Sequence, residues 1–210
     1  MSAWGWPTGP VATFSGNQHC SLRMPNDFDI ERDLPLVGIL PKPEEKADFR
    51  LFVGESPLGP DYTYSMILPK RWTYHPPTGK IDLDDGPASL GVFSEHPAMV
   101  PPTVLSIGAL RANTHVSLMT FYAGYCHITE QKPLITRPVL LPAFQGIDGL
   151  IDTPDGLRMR LLMVENGGRV LVLAGLALLA EYPAKAHLLA TLMFSCEFTA
   201  GRAATMRVVD

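Results

Sequence analysis

Two long apolar stretches, joined by adjacent glycines, dominate the C-terminal third of the chain. GLRMRLLMV spans residues 156–164 and RVLVLAGLAL spans residues 169–178, with ENGG between them. Gly167 and Gly168 accept the positive φ angles that a tight hairpin turn requires. A phosphate-binding loop at ENGG is disfavoured, because such a loop leads directly into a helix and none is predicted here. The two stretches are therefore predicted to be neighbouring antiparallel strands.

Alternating apolar residues predict further strands nearer the N-terminus. FRLFVGE (49–55) and YTYSMILP (62–69) flank SPLGPD, which has the composition of a turn, so they predict a hairpin. ASLGVFSE (88–95) and TVLSIGAL (103–110) are two more candidate strands. The residues of the first hairpin that share an alternating apolar face are Phe49, Leu51, Val53, Tyr62, Tyr64, Met66 and Leu68.

Two segments have helical periodicity. In residues 113–128 apolar side chains recur three or four positions apart, and Asn113 is a candidate N-cap. Residues 181–194 are the second candidate, with Pro183 in the first turn, where proline is tolerated. Alternation in residues 194–200 then predicts a short final strand. This order of strands and helices predicts an α+β fold, an antiparallel sheet covered by helices.

The composition is that of one folded globular domain. The chain has 210 residues, of which 46% are hydrophobic and 18% are charged, and this suffices for one sizeable core. Its net charge is -4 and it has no long basic run, so nucleic acid is not an expected partner. The longest apolar run, residues 170–180, is much shorter than the roughly 18 residues that a transmembrane helix requires. It is predicted instead to be a buried strand.

The cysteines and the N-terminus bear on the cellular location. Cys20, Cys126 and Cys196 are widely spaced and form no C-x-x-C pair. Such cysteines are typical of free or buried thiols in a reducing compartment, rather than of a disulfide framework or a zinc knuckle. Residues 1–16 also lack the basic and apolar regions of a secretory signal. A cytoplasmic location is therefore expected.

Residues 1–48 differ in character from the rest of the chain. They are rich in proline and glycine and have no sustained period. This composition predicts an extended arm without a core of its own, followed by a domain at residues 49–210. Trp4, Trp6 and Phe14 complicate this interpretation, because a large ring gains about 2–3 kcal/mol by leaving water. The arm is therefore expected to lie against its own domain or against a partner.

Three segments carry a resemblance to a known superfamily. They are YSMILPKRW (64–72), in which a strand ends in proline and a tryptophan follows, RLLMVENGGRVLVLAGLA (160–177), and FSCEF (194–198). In this order, and over roughly residues 49–200, they resemble the PsbP-like superfamily. That superfamily includes Mog-type Ran-release factors, LpqN-type proteins and the Eag chaperones of type VI secretion. The resemblance implies a PsbP-like α/β sandwich, and an unrelated α+β sandwich is the alternative.

The same resemblance implies a function, because most members of that superfamily act by association. It implies a non-catalytic protein-binding module: an adaptor, assembly subunit or chaperone of a bacterial secretion or envelope complex. The expected partners are secretion-system components or an effector, and a self-assembling homo-oligomer is an alternative. The candidate partner-binding residues are Trp4, Trp6, Phe14, Tyr62, Tyr64 and Trp72. For Trp72 the preferred alternative is a plug at the end of the core, since large rings are more often packed than presented.

Catalytic motifs are missing from the chain. No G-x-S-x-G, G-x-G-x-x-G, Walker A or H-E-x-x-H pattern occurs, so neither an enzyme nor a cofactor is expected. His127 and Glu130 are weak metal candidates at the end of a predicted helix, but a third ligand is missing. Cys126 and His127 point about 100° apart on a helix, which disfavours a nucleophile pair. KIDLDDG (80–86) lacks the final glutamate of a calcium loop. An enzyme or small-molecule binder with a site near His127 remains the alternative function.

Overall fold

The computed structural model describes residues 28–35, 46–54, 58, 62–78, 88–95, 103–111, 116–141, 144–166 and 169–198. The helices are α1 (Ile30–Asp33), α2 (Leu118–Ile128) and α3 (Tyr182–Phe194). The strands are β1 (Phe49–Gly54), β2 (Tyr64–Pro69), β3 (Thr73–His75), β4 (Ala88–Ser94), β5 (Val104–Arg111), β6 (Pro133–Leu141), β7 (Phe144–Asp152), β8 (Leu157–Asn166), β9 (Arg169–Leu178) and β10 (Glu197–Phe198).

The strands form two antiparallel sheets. Seven of them make a large sheet in the order β3-β4-β5-β9-β8-β7-β6, and three make a small sheet in the order β1-β2-β10. Strand β9 lies at the centre of the large sheet, and its residues are buried along almost the whole strand. This position explains why its sequence is a continuous apolar run instead of an alternating one, since both faces are covered. The α+β prediction is confirmed.

The two faces of the large sheet are covered by different elements. On one face, Tyr122 and Cys126 of α2 pack against alternate residues of β7, β8 and β9. On the other face lie α3, α1 and the inner side of the small sheet, which together enclose the main core. Helix α3 approaches β9 closely at Gly175, where a Cβ atom would lie 3.0 Å from Leu189. The described residues therefore form three layers, and the buried charged groups among them lie on the α3 side.

Most of the predicted elements are present. The hairpins β1-β2 and β8-β9, the strands β4 and β5, and helix α3 with Pro183 in its first turn all occur as the sequence predicts. The predicted turn residues Gly167 and Gly168, and the acidic stretch at 80–86, lie outside the described residues.

Three details differ from the sequence-based predictions. Helix α2 begins at Leu118 and is capped by Ser117, whose side chain accepts a bond from the Thr120 N–H, so Asn113 is not its N-cap. The hairpin β6-β7 was not predicted at all. In β1 the alternation points the other way: Leu51 and Val53 are exposed, while Phe52 packs against the core.

Part of the predicted arm is docked onto the domain. Residues 28–35 contain the four-residue helix α1, whose N-cap is Asp29. Leu34 is fully buried in the main core and Phe28 packs against it. The arm is therefore neither extended nor separate over these residues. A boundary at residue 48, and the behaviour of the remainder of the arm with Trp4, Trp6 and Phe14, stay predictions, since those rings lie outside the described residues.

Candidate functional site

Two of the predicted partner-binding rings are buried. Tyr64 is 0% and Trp72 is 2% exposed, so neither ring is accessible to a partner. Trp72 follows the end of β2, with Lys70 and Arg71 facing solvent at the corner, and packs into the main core. Trp72 therefore packs at the end of the core and is not presented to a partner. Tyr62 is half-buried, with the Arg169 guanidinium 4.6 Å from its ring centroid.

The aromatic side chains around β2 form one packed group. The Tyr64 and Tyr74 hydroxyls both lie within hydrogen-bonding distance of the Leu90 carbonyl, at 3.3 and 3.5 Å. Phe52 contacts Tyr74 and Phe93, with ring centroids 4.8 and 4.9 Å away. Burial raises the pKa of Tyr64 far above its ordinary range, so the hydroxyl stays protonated and donates. These rings hold the small sheet against the large one.

The weak metal candidates lie on the surface. His127 and Glu130 are both exposed, and Glu130 has a left-handed φ of 56° just beyond the end of α2. Over the described ranges, no group of three His, Cys, Asp or Glu side chains is placed to hold a metal ion. Cys126 and Cys196 are free and buried, and burial raises the pKa of each thiol to about 12. Neither thiol is therefore ionised near neutral pH, as a nucleophile would have to be.

One accessible apolar surface belongs to the small sheet. Leu51 is 71% and Val53 is 57% exposed on the outward side of β1. Opposite them on β2 lie Ile67 and Ser65, both half-buried. We call the surface formed by Leu51, Val53 and Ile67 the outer β1 face. Strand β1 is also an edge of the small sheet, since it pairs only with β2 among the described strands.

The edge of β2 that faces away from β1 is covered by β10 and by Ser195. There β10 pairs with Tyr64 and Ser65, and the Ser195 hydroxyl accepts a hydrogen bond of 3.1 Å from the Ile67 N–H. Among the strands that the structure describes, the small sheet therefore has its long unpaired edge at β1. The large sheet has an edge at β6, where Leu140 is 80% exposed, but that strand contains Pro133 and Pro138, which lack an N–H to donate.

A second candidate site is a group of charged residues buried on the α3 side of the large sheet. We call Arg137, Arg158, Arg160 and Asp148 the arginine cluster. Asp148 and Arg160 are both fully buried, and Arg160 binds the carboxylate in bidentate fashion, at 3.0 Å from Nε and 2.8 Å from Nη2. Arg137 donates to the same carboxylate at 3.1 Å. Arg158 forms its own bidentate pair with Asp152, at 2.6 and 2.9 Å.

Residues 28–35 contact this cluster directly. The Asp33 carboxylate lies 3.7 Å from Arg158 and is also bound by Arg32. The Leu34 carbonyl accepts from Arg137, and the Pro35 carbonyl accepts from Arg160 at 2.8 Å. The segment therefore presents one carboxylate and two carbonyls to the three arginines.

The electrostatics of the cluster follow from burial and pairing. Burial lowers the pKa of Arg137, the Asp148 carboxylate opposes that shift, and Arg160 adds to it. The hydrogen bond to Asp152 raises the pKa of Arg158. Burial would raise the pKa of Asp33, but the bonds from Arg32 and the Asp29 backbone hold it below its ordinary value. All these groups are therefore charged at neutral pH.

Some donors of this region are left without a partner. Over the part of the chain that the structure describes, the buried atoms Arg160 Nη1, Arg137 Nε and the Tyr182 hydroxyl have no hydrogen-bond partner. The Arg160 guanidinium lies 4.8 Å from the centroid of the Phe194 ring, which supplies partial compensation as a cation–π contact. Buried donors without acceptors are costly, so the cluster has more donors than its present partners can satisfy.

Sequence reasoning missed this cluster. The visible signal was Arg158 and Arg160 at alternate positions of a predicted strand, which places both on one face. Their partner Asp148 lies on β7, which was not predicted. The carbonyl partners come from the segment that was predicted to be an arm.

Comparison with solved structures shows that the fold is PsbP-like. Cyanobacterial PsbP (CyanoP) from Synechocystis sp. PCC 6803 matches with a TM-score of 0.53 at 11% identity, over 73% of this chain and 94% of that chain. A protein from Bacteroides thetaiotaomicron has a TM-score of 0.39 at 11% identity, over 65% of this chain and 45% of that one. A protein of unknown function from Pseudomonas aeruginosa has a TM-score of 0.35 at 14% identity, over 65% of this chain and 88% of that one.

The comparisons support the fold and nothing more specific. No protein-family model matches the chain, and no curated protein matches it in sequence. The likeness to Mog-type, LpqN-type and Eag proteins in particular stays a prediction, as does the cytoplasmic location. Among the described residues, no helix has both the length and the apolar character needed to cross a membrane.

Proposed function

We propose that the chain is a non-catalytic protein-binding module that receives an extended segment of a partner protein at the edge of β1. The observation that carries the proposal is the exposure of Leu51 and Val53 on an edge strand. Such a strand offers backbone N–H and C=O groups for pairing, and alternate side chains for selectivity. Partners that add a strand in this way need no catalytic groups from the module.

The composition of β1 supports this use of its edge. Natural edge strands are usually protected by charges, prolines or bulges, because an unprotected edge pairs with other chains. Strand β1 has no proline, and Arg50 is its one charged residue. The Arg50 guanidinium is directed towards the Trp72 carbonyl, at 3.4 Å, instead of out along the edge. Among the described strands the edge is therefore unpaired, with the apolar side chains of Leu51 and Val53 exposed beside it.

The buried charges support a binding role over a catalytic one. Glu95 is bound by Lys185 at 2.8 Å and by Arg71 at 3.1 Å, and Asp148 is bound by two arginines. These carboxylates act as structural anions. The alternative of an enzyme site at His127 and Glu130 has no third metal ligand to support it among the described side chains. An adaptor, assembly subunit or chaperone of a bacterial secretion or envelope complex is the role that fits the proposal.

The test is affinity capture from the native organism with quantitative mass spectrometry. The full-length chain is compared with Leu51→Asp/Val53→Asp and with Leu140→Asp, which places the same charge on an exposed position of a different edge. We expect a protein that is captured by the wild type and by Leu140→Asp, with recovery reduced about tenfold by the double substitution. Equal recovery by all three, or no partner for the wild type, contradicts the proposal.

Light scattering on the same proteins separates the self-assembly alternative. If the wild type and Leu140→Asp have the mass of an oligomer and the double variant has the mass of a monomer, the partner at β1 is a second copy of the chain. Circular dichroism checks that the substitutions, both at exposed positions, leave the fold intact.

A further inference from the structure

We propose that the arginine cluster is a second binding site, which takes a short acidic peptide, and that residues 28–35 are its resident occupant. This site is independent of the outer β1 face and does not rest on the function proposed above. Its ligand class follows from what the resident segment presents: a carboxylate at Asp33 and two successive backbone carbonyls at Leu34 and Pro35, with the Leu34 side chain buried beside them.

The contacts between residues 28–35 and the arginine cluster are of the kind by which proteins bind peptides. Arg137 and Arg160 come from strands distant in sequence and each donates to a carbonyl of the segment. Arginine is suited to this, because its planar group presents several donors in a fixed arrangement. Leu34 enters the main core and supplies an apolar anchor. Charge and apolar contact together define a site for a short segment with an acid followed by a large apolar residue.

The resident segment does not satisfy the site. Among the described residues, Arg160 Nη1 has no acceptor although Arg160 is fully buried. Arg32 also binds Asp33, at 2.8 Å, and so competes with Arg158 for its carboxylate. A peptide with an acid in place of Arg32 would remove that competitor and leave the Asp33 carboxylate to Arg158.

The local structure of the segment is limited to one short helix. Helix α1 has four residues, far fewer than the about 12–15 that an isolated helix needs to persist in water. Its N-cap is Asp29, whose carboxylate accepts from the Glu31 and Arg32 N–H groups at 2.9 and 3.3 Å. Removal of the cap weakens the docked segment without changing any residue of the arginine cluster.

The test measures binding of fluorescein-labelled peptides to full-length proteins by fluorescence polarisation. The probes are FDIERDLP, which is residues 28–35, the same peptide with Arg32→Asp, and the same peptide with Asp33→Asn. The proteins are the wild type, Asp29→Ala and Asp33→Asn, which weaken the resident segment in two different ways. Glu31→Ala is the matched control, since it removes an exposed acid of the same helix.

We expect Asp29→Ala and Asp33→Asn to bind FDIERDLP about tenfold more tightly than the wild type and Glu31→Ala do. The Arg32→Asp peptide should bind more tightly still, and the Asp33→Asn peptide more weakly. The variant Leu51→Asp/Val53→Asp should bind the peptides as the wild type does. The peptide assay therefore tests the arginine cluster separately from the proposed binding at β1. Absence of tighter binding in both variants, or equal binding of the three peptides, overturns the proposal.

Discussion

Arg160 carries a charge in a place where charges are rarely found. Its side chain is fully buried between the large sheet and α3, and it is paired with a carboxylate that is also fully buried. The free energy needed to remove both charges from water offsets most of the free energy of their attraction. The pair itself therefore adds little stability. Loss of one partner is different, because it leaves the other charge buried and uncompensated.

Replacing Asp148 should therefore be severe. We expect Asp148→Ala to lower the free energy of unfolding by about 3–5 kcal/mol, because Arg160 and Arg137 both lose their shared carboxylate. Arg71→Ala is the control: Arg71 is 67% exposed and its ion pair with Glu95 is worth about 0–1 kcal/mol. Urea denaturation followed by circular dichroism measures both. Equal effects of the two substitutions would show that the cluster does not behave as a buried ion pair.

Acid should weaken the docking of residues 28–35. The pKa of Asp33 is lowered in the folded state, since the bonds from Arg32 and Asp29 outweigh burial, which alone would raise it. A group with a lowered folded pKa contributes its stability above its ordinary pKa, about 4 for a carboxyl, and loses it as the pH falls through the folded value.

The comparison that measures this effect is the wild type against Asp33→Asn in urea titrations between pH 7 and pH 2. The wild type should be more stable at neutral pH, and the difference should shrink only below about pH 4. A difference that stays constant across the range would mean that the Asp33 charge does not contribute.

The position of strand β6 in the large sheet explains the prolines in its sequence. It contains Pro133 and Pro138, which argue against a strand when the sequence is considered alone. The structure places it at the edge of the large sheet, where one side of the backbone pairs with β7 and the other needs no partner. The long strands with continuous apolar patterns, such as β9, were predictable because no other element suits such a run.

The glycines of β7 have a tertiary explanation. Gly146 lies under the Met163 carbonyl, and a methyl group at Gly149 would overlap the Tyr122 hydroxyl of α2. Both glycines interrupt the alternation that identifies a strand, and their reason is the approach of another element. Local pattern could therefore not predict β7, and with it Asp148 of the arginine cluster was missed.

Two glycine substitutions test this explanation. Gly149→Ala should destabilise the protein by about 1–3 kcal/mol, because the new methyl group displaces Tyr122 or the strand beneath it. Gly124→Ala is the matched change within α2, where nothing lies within 4 Å of the added group. It should stabilise by about 0.4–1 kcal/mol through helix propensity and the unfolded chain. Thermal unfolding of both variants is the measurement, and a neutral Gly149→Ala would contradict close packing of α2 on β7.

At the scale of the whole molecule, the order of elements along the chain predicted the α+β class, since few architectures combine these hairpins and helices. What the order could not predict is which element lies on which face. Burial of Trp72 follows from the small sheet lying over the large one, and exposure of Leu51 follows from its position on the outward face of the small sheet. The candidate sites depend on this arrangement, so sequence reasoning reached neither of them.

The proposed function rests on the claim that the edge of β1 binds a protein, and photocrosslinking in the native organism tests this claim. Val53→p-benzoylphenylalanine places a photoreactive ring on the outer β1 face, and Leu140→p-benzoylphenylalanine places the same ring on the β6 edge. We predict a discrete light-dependent adduct from position 53 that is absent from position 140. An unmodified chain at position 53, or the same adducts from both positions, would contradict the claim.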